Sequence, residues 1–415
     1  MKNIRIKVFT TLCILNLLLS CGTREQYNKY KIAGDIIASK SFVQVDNPDV
    51  ITIDNEKSEI IPYEMINNIL KDVKYIPLIS KEPIGEFRKI FVYKERIYIL
   101  DAFIAEKIFI FNMQGKIIRV IDSKGGGPNE YRGLMDMTIS PENDYLVIAD
   151  RLSPFVLYFT LDGEFVKKTR GIINTTVEIV DGKFLNLLNT GQSYDDNVNY
   201  HLVVSIGDSV IRKGFLYYPL QMNAIFKPPF RYNYKNELLF CPYYCDTIYQ
   251  IINDSIYTTK YIVKHSNSIW KKYNERMNFD NYERLIARSD YTALTKPILE
   301  MENFICYSIE AKMIIEGKRY RQHYPYWFDK KKKTSFALGQ PNKDIYHIIP
   351  DPMAIYCNHY VGVIPSILIE NKREGIEEKK WGINYHNQEL KDMIMDKNPN
   401  LEAILVLYEF KDIEK

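Results

Sequence analysis

The residue types best suited to proton transfer or metal ligation are thinly spread. Six histidines, His201, His265, His323, His347, His359 and His386, are scattered from position 201 onward, and no two stand at the i, i+4 spacing that aims two imidazoles at one ion. The chain contains no Gly-x-Ser-x-Gly elbow and no Asp-x-Asp-x-Asn-Gly calcium loop. No catalytic residue, metal or cofactor is therefore assigned. Gly125-Gly126-Gly127-Pro128-Asn129-Glu130-Tyr131 invites comparison with a phosphate loop, but it lacks the Gly-Lys-Ser/Thr ending and leads into a strand-like run. It reads as a turn. Asp101 and Asp150 occupy equivalent positions in similar stretches, and such repetition fits the acceptance of amide hydrogen bonds at a strand end better than acid/base work.

The densest aromatic cluster is His323-Tyr324-Pro325-Tyr326-Trp327. Aromatic rings beside polar groups suit stacking against sugars or peptides, which makes Tyr324, Tyr326 and Trp327 candidate binding residues, with Trp381 a fourth. Packing of strand cores gives the same pattern and is the preferred reading.

The first 21 residues carry Lys2, Arg5 and Lys7, an apolar run over 8–19 interrupted by Thr10, Thr11 and Asn16, then Ser20 and Cys21. This is the layout of an export signal, and its apolar run is too short for a bilayer, which needs about 20 apolar residues. Leu18-Leu19-Ser20-Cys21 resembles the lipobox of bacterial lipoproteins, which implies cleavage before Cys21 and acylation of its thiol and amine. More than one acyl chain gives durable anchoring. Gly22 does not resemble the aspartate that marks inner-membrane retention, so the outer membrane is expected. Residues 21–40 are polar and lysine-rich, as a tether would be, and 41–415 form the folded domain.

The formal charge is +3, and removing the three basic leader residues brings it to zero. A neutral chain lacks the field that drives nonspecific phosphate binding, so nucleic acid is not an expected partner. Export leaves Cys241, Cys245, Cys306 and Cys357 in an oxidising compartment. An extended Cys241–Cys245 segment would hold its thiols about 13 Å apart, so buried free thiols are expected unless the chain turns there.

Apolar types make up 46% of the chain and aromatics 13%, with 32 Tyr against 19 Gly, a bias towards half-buried strands. Runs over 97–101, 108–112 and 117–121, with a turn at 113–116, read as an antiparallel meander. The pattern returns over 145–150, 155–159 and 165–168, and Asp150 follows Asp101 by 49 positions. A four-stranded unit recurring every ~40–50 residues is the signature of a propeller blade. More worn copies lie over 184–211, 238–254, 305–338 and 354–364. That makes six, and the runs over 73–78 and 403–410 are expected to complete one blade from opposite chain ends, because an open ring exposes an edge. Helix-like spacing over 268–301 and 388–398 predicts two insertions on a face or rim. The short basic run Lys330-Lys331-Lys332-Lys333 reads as a solvated hairpin turn.

Val73-Lys74-Tyr75-Ile76-Pro77-Leu78, Gly115-Lys116-Ile117-Ile118, Gly125 to Tyr131 and Asp246-Thr247-Ile248-Tyr249 together resemble the six-bladed β-propeller lipoproteins of gut Bacteroidetes, related in architecture to NHL-repeat propellers. In that family the third segment usually has glycine where this chain has Asn129. The resemblance implies an all-β, six-bladed propeller with small helical insertions, lipid anchoring, and a role near nutrient or glycan uptake, with no catalytic set. The expected function is an anchored binding or scaffold module for a glycan, peptide or partner protein. The alternative is an envelope lyase or hydrolase with a metal or acidic site in the central channel.

Overall fold

A computed structural model describes residues 40–412 apart from 141, 143, 173–175, 188–199, 208, 217–227, 243, 273–289, 316–317, 340–348 and 378–387. Its strands form six antiparallel blades in a closed ring. Blade 1 comprises Lys89–Tyr93, Arg96–Asp101, Lys107–Asn112 and Ile117–Ile121, and blade 2 comprises Leu134–Ser140, Tyr145–Asp150, Phe155–Thr160 and Phe165–Arg170. Blade 3 is built from Thr176–Val180, Lys183–Leu187, Tyr200–Ile206 and Ser209–Leu216, and blade 4 from Phe230–Tyr232, Leu238–Phe240, Thr247–Ile251 and Ile256–Lys264. Blade 5 has Ala293–Glu300, Phe304–Ile315, Lys318–Asp329 and Thr334–Leu338. Blade 6 takes Pro352–Tyr356, His359–Pro365 and Leu401–Phe410 from the end of the chain and Leu70–Ile79 from its beginning.

The closing strands pair over most of their length, with Val406 opposite Tyr75 and Leu405 opposite Ile76. The uninterrupted apolar run Ala403–Tyr408 has a simple cause. Side chains alternate across a strand, so each face of a blade must pack on a different neighbour. Ile404, Val406 and Tyr408 enter the core shared with blade 5, while Ala403, Leu405 and Leu407 enter the core shared with blade 1. Ile97 and Ile99 divide from Tyr98 and Leu100 in the same way. Burying a large side chain contributes about 1.5–3 kcal/mol, and here both registers of the strand collect it.

Gly115 occupies the turn that meets the closing blade. Its φ is +73°, and an added Cβ would lie 1.9 Å from the Pro77 carbonyl oxygen. Ile79 N–H donates to its carbonyl at 2.9 Å, which ties blade 1 to the outer strand of blade 6.

Two features differ from the expectation. The stretch 268–301 is not one helix: a short 3-10 turn at Ile269–Lys272 precedes the segment outside the described residues, and Ala293–Glu300 is the innermost strand of blade 5. Leu294, Ile298 and Leu299 are buried there, and pairing with the following strand overrides their helix-compatible spacing. A helix at Ser366–Glu377 was not expected, whereas Gln388–Met395 matches the second prediction within three residues.

The chain before the closing strand also has a role that its sequence did not announce. Lys40–Ser41 adds parallel to the outer strand of blade 3, Val43–Val45 and Ile51–Asp54 to that of blade 4, and Glu59–Ile61 to that of blade 5. Residues 40–61 thus strap the rim of three consecutive blades.

Candidate functional site: the long-loop face

Strand order divides the connections between two faces. On one, every link between paired strands is a turn of two to five residues. The other face carries the remaining links, including 122–133, 217–229, 265–292, 339–351 and the 366–400 segment with both helices. Loop length is free to vary there without disturbing the blades, which makes this face the candidate site.

Blade 5 adds a projection. Its second and third strands pair from Phe304–Asp329 out to Ile315–Lys318, whereas the first strand stops opposite Glu310. The hairpin therefore rises above its own blade. Arg321 pairs with buried Glu310 at 3.2 Å, Lys312 pairs with Asp290 at 2.7 Å, and Thr295 Oγ1 lies 2.8 Å from His323 Nδ1. Gln322 Oε1 is buried with no hydrogen-bond partner among the described residues.

The aromatic candidates fall at different depths on this hairpin. Trp327 is 2% exposed, stacked on Phe336 and edge-on to Phe410, so its ring serves the core between blades 5 and 6. Tyr326 is half-buried and stacks on Tyr307 with centroids 5.6 Å apart. Tyr324, also half-buried, stands at the base of the projection opposite Ile309. Trp381 and Cys21 lie outside the described residues.

The channel wall holds a second group. First strands of successive blades contact one another around the axis, and those of blades 1, 2 and 3 carry Lys89, Asp136 with Thr138, and Thr176 with Glu178. Lys89 Nζ lies 3.2 Å from Asp136 Oδ1 and 3.0 Å from Glu178 Oε1. Asp136 also accepts from the backbone N–H of Met137 and Val177 and from the Thr176 hydroxyl, and Thr138 Oγ1 donates to Glu178 Oε2 at 2.5 Å. All four carboxylate oxygens are engaged. A buried ion survives only when paired and hydrogen-bonded, and this arrangement staples three blades together.

Neighbouring groups stiffen the same face. Arg88 and Arg151 lie over the Phe103 ring at 4.7 and 5.2 Å. Asp246 binds His265 Nε2 at 2.9 Å and Ser268 Oγ at 2.6 Å, while His265 Nδ1 lies 2.6 Å from Thr292 Oγ1. These bonds clamp both ends of the segment between blades 4 and 5. Asp101 performs the expected structural task, taking the amides of Gly85, Glu86, Ile104 and Ala105. Asp150 does the same for Arg132, Gly133 and Leu152.

Gly125 to Tyr131 forms the expected turn between blades 1 and 2, with Glu130 Oε2 accepting from Gly127 N–H at 2.7 Å. Lys331 pairs with Asp412 in the hairpin turn after blade 5's third strand, while Lys330 reaches Glu300 at 2.7 Å. Cys241, Cys245 and Cys306 are buried free thiols and Cys357 is exposed. A turn does form at Cys245, whose N–H donates to Pro242 O, yet burial pushes both the Cys241 and Cys245 thiols up to about 12, which suppresses the reactive thiolate. Among the described residues no three His, Cys, Asp or Glu side chains are grouped to hold a metal.

The channel group and the blade 5 hairpin were hard to find in the sequence. Asp136 and Glu178 are single charges inside strand runs and Lys89 follows Arg88 at the start of one, a signal that becomes legible only when the three strands are placed side by side.

Known folds place this architecture in context. A putative exported protein of Bacteroides fragilis superposes with a TM-score of 0.63 at 16% identity, covering 87% of this chain and all of that one. A member of the DUF4221 family from Bacteroides vulgatus gives 0.51 at 12% identity, over 83% of this chain and 98% of the other. At these identities the likeness concerns the fold. No curated protein matches the chain. A family model described as a domain of unknown function, DUF4934, matches residues 40–409, from the first strand of the rim strap to the penultimate residue of the closing strand.

Proposed function

We propose, from the premise that this chain belongs to the DUF4934 domain family, that it is an envelope lipoprotein whose propeller acts as a binding or scaffold module through its long-loop face. The ligand class is a glycan, a peptide or a partner protein. The observation that carries this reading is the segregation of the long connections between blade strands, the helices Ser366–Glu377 and Gln388–Met395 and the blade 5 hairpin to one face of a rigid ring. A rigid scaffold keeps the ordering cost of binding low for the groups it holds in place, among them the paired hairpin of blade 5. The lipobox at Cys21 supports attachment to the outer membrane, with the polar, lysine-rich residues 21–40 as the connecting tether.

A lyase or hydrolase would need carboxylates free to exchange protons with a substrate. The acidic pair of the channel, Asp136 and Glu178, has its oxygens committed to Lys89, two threonines and backbone amides, so nothing observed on this face favours that alternative.

Two measurements test the proposal. Purified protein applied to glycan and peptide arrays should give saturable binding that Tyr324→Ala or His323→Ala weakens while the fold is retained. Binding unaffected by both changes would remove the hairpin from the site. For the anchor, cells fed labelled fatty acid should label the wild type and leave Cys21→Ser unlabelled and released from the membrane fraction; a labelled Cys21→Ser protein would refute lipidation at this position.

A further inference from the structure

The rim is treated unequally around the ring. Blades 3, 4 and 5 each receive a parallel strand from residues 40–61, whereas the outer strands of blades 1 and 2, Ile117–Ile121 and Phe165–Arg170, carry no added strand among the described residues. Ile117, Ile118 and Val166 are exposed on these two strands. The strands hold four basic residues, Arg119, Lys167, Lys168 and Arg170, and no acidic one. A bulge interrupts each of them near its start, which shortens the regular edge without removing it.

The capped blades show what such an edge takes. Ile51–Asp54, the longest added strand, presents Ile53 to the core of blade 4, where it is fully buried, and sets Asp54 opposite Lys264 of the outer strand. The added segments Val-Gln-Val and Ile-Thr-Ile-Asp alternate β-branched with polar residues. Main-chain hydrogen bonds supply the affinity in this mode and the alternating side chains the selectivity.

We infer that the outer edges of blades 1 and 2 are a docking site for an extended, acidic, β-branched segment of another protein, added parallel as a fifth strand. The occupant follows from the three capped blades of the same ring and from Lys167 on the blade 2 edge, since Arg119 already pairs with Glu164 at 3.3 Å and Lys168 donates to the Gly127 and Glu130 carbonyls. The inference rests on the fold and the rim alone, so it stands apart from the long-loop face and its ligand.

The test uses the purified full chain and a synthetic peptide of residues 49–55, Asp-Val-Ile-Thr-Ile-Asp-Asn, which copies the protein's own added strand. Hydrogen exchange at saturating peptide should slow about tenfold or more at amides within 117–121 or 165–170, as expected for a bound edge. Lys167→Glu should weaken the peptide at the blade 2 edge about two- to fivefold, the effect of one exposed ion pair, and a peptide with both Asp changed to Lys should recover it. Three results would overturn the inference. They are no slowing at either edge, slowing instead at 256–264 with displacement of the strap, or protection of the edges without peptide that grows with protein concentration, which would make a second copy the occupant.

Discussion

Lys372 offers a sharp test of how tightly the helix Ser366–Glu377 seals against blade 6. The residue is 8% exposed, and burial lowers its ammonium from the ordinary 10.5 to about 8. A lysine held below its unfolded value penalises the fold wherever it must stay charged. Below pH 8 the whole penalty applies; between 8 and 10.5 the folded state sheds a proton that the unfolded chain keeps, so this residue's contribution to stability improves as pH rises. The gap between 10.5 and about 8 corresponds to at most about 3 kcal/mol at 1.36 kcal/mol per pKa unit. Lys372→Met keeps the packing stem and removes the charge, so at pH 7.5 it should stabilise the protein by up to that amount. The gain should fade as pH approaches 10.5.

The absolute pH profile will not display this, because Cys241 and Cys245 act in the opposite sense. Their folded values, raised from 9.0 to about 12, give stability that is present below pH 9 and is lost as pH climbs towards 12. Both proteins share those thiols, so the difference between them cancels the effect. Guanidinium unfolding of the pair at pH 7.5 and pH 10 is the assay, and with a slope of about 5 kcal/mol/M the variant's midpoint should lie about 0.5 M higher at the lower pH. A variant less stable than wild type at pH 7.5, or a difference that does not change with pH, would refute a desolvated amine.

Other perturbations separate the remaining claims. Lys89→Met strands Asp136 and Glu178 without their cation and should cost about 3–5 kcal/mol, read by chemical denaturation; a loss under about 1 kcal/mol would mean that the channel group is hydrated. Alanine at the turn glycines should destabilise in the order Gly115, Gly163, Gly207, since the added Cβ meets the Pro77 backbone at 1.9 Å, movable Arg119 and Ile110 side-chain ends at 2.7 and 2.9 Å, or only Arg170 O at 3.7 Å. The last should cost only the positive-φ strain of about 1 kcal/mol, and equal melting temperatures across the series would contradict the close approach at Gly115. Asp101→Ala leaves four buried or half-buried amides without an acceptor and should cost about 3 kcal/mol or more, while Asp101→Asn, which keeps an acceptor oxygen, should cost visibly less by thermal unfolding.

The blades were legible where a strand packs on both neighbours. Runs such as 97–100 and 403–408 are apolar at every position, so their strand character and their burial come from one local signal, and the turns at Gly115 and Gly163 punctuate them. Ring closure followed too, because two strong strands stood outside the repeats and an unpaired edge is costly. Of the innermost strands only that of blade 6 was read, in the run from Ala354. Lys89–Tyr93 opens on a charge and Leu134–Ser140 carries Asp136 within it, and no local rule makes such a charge acceptable until its partner from another blade is known. Ala293–Glu300 failed for a related reason, since its spacing suits a helix and only pairing with Phe304–Ile315 decides otherwise.

From the order of its residues alone this protein had its class, its blade count and the meeting of its two chain ends, since these depend on alternation and turns within a few positions. Tertiary structure alone decided that residues 40–61 cap three blades and, among the described residues, leave the outer strands of blades 1, 2 and 6 without an added strand, that Trp327 serves the core while Tyr324 stands at the base of a projecting hairpin, and that charges from three blades neutralise one another in the channel. Each of those outcomes depends on groups distant in sequence being brought within a few ångströms, where their burial and pairing are fixed together.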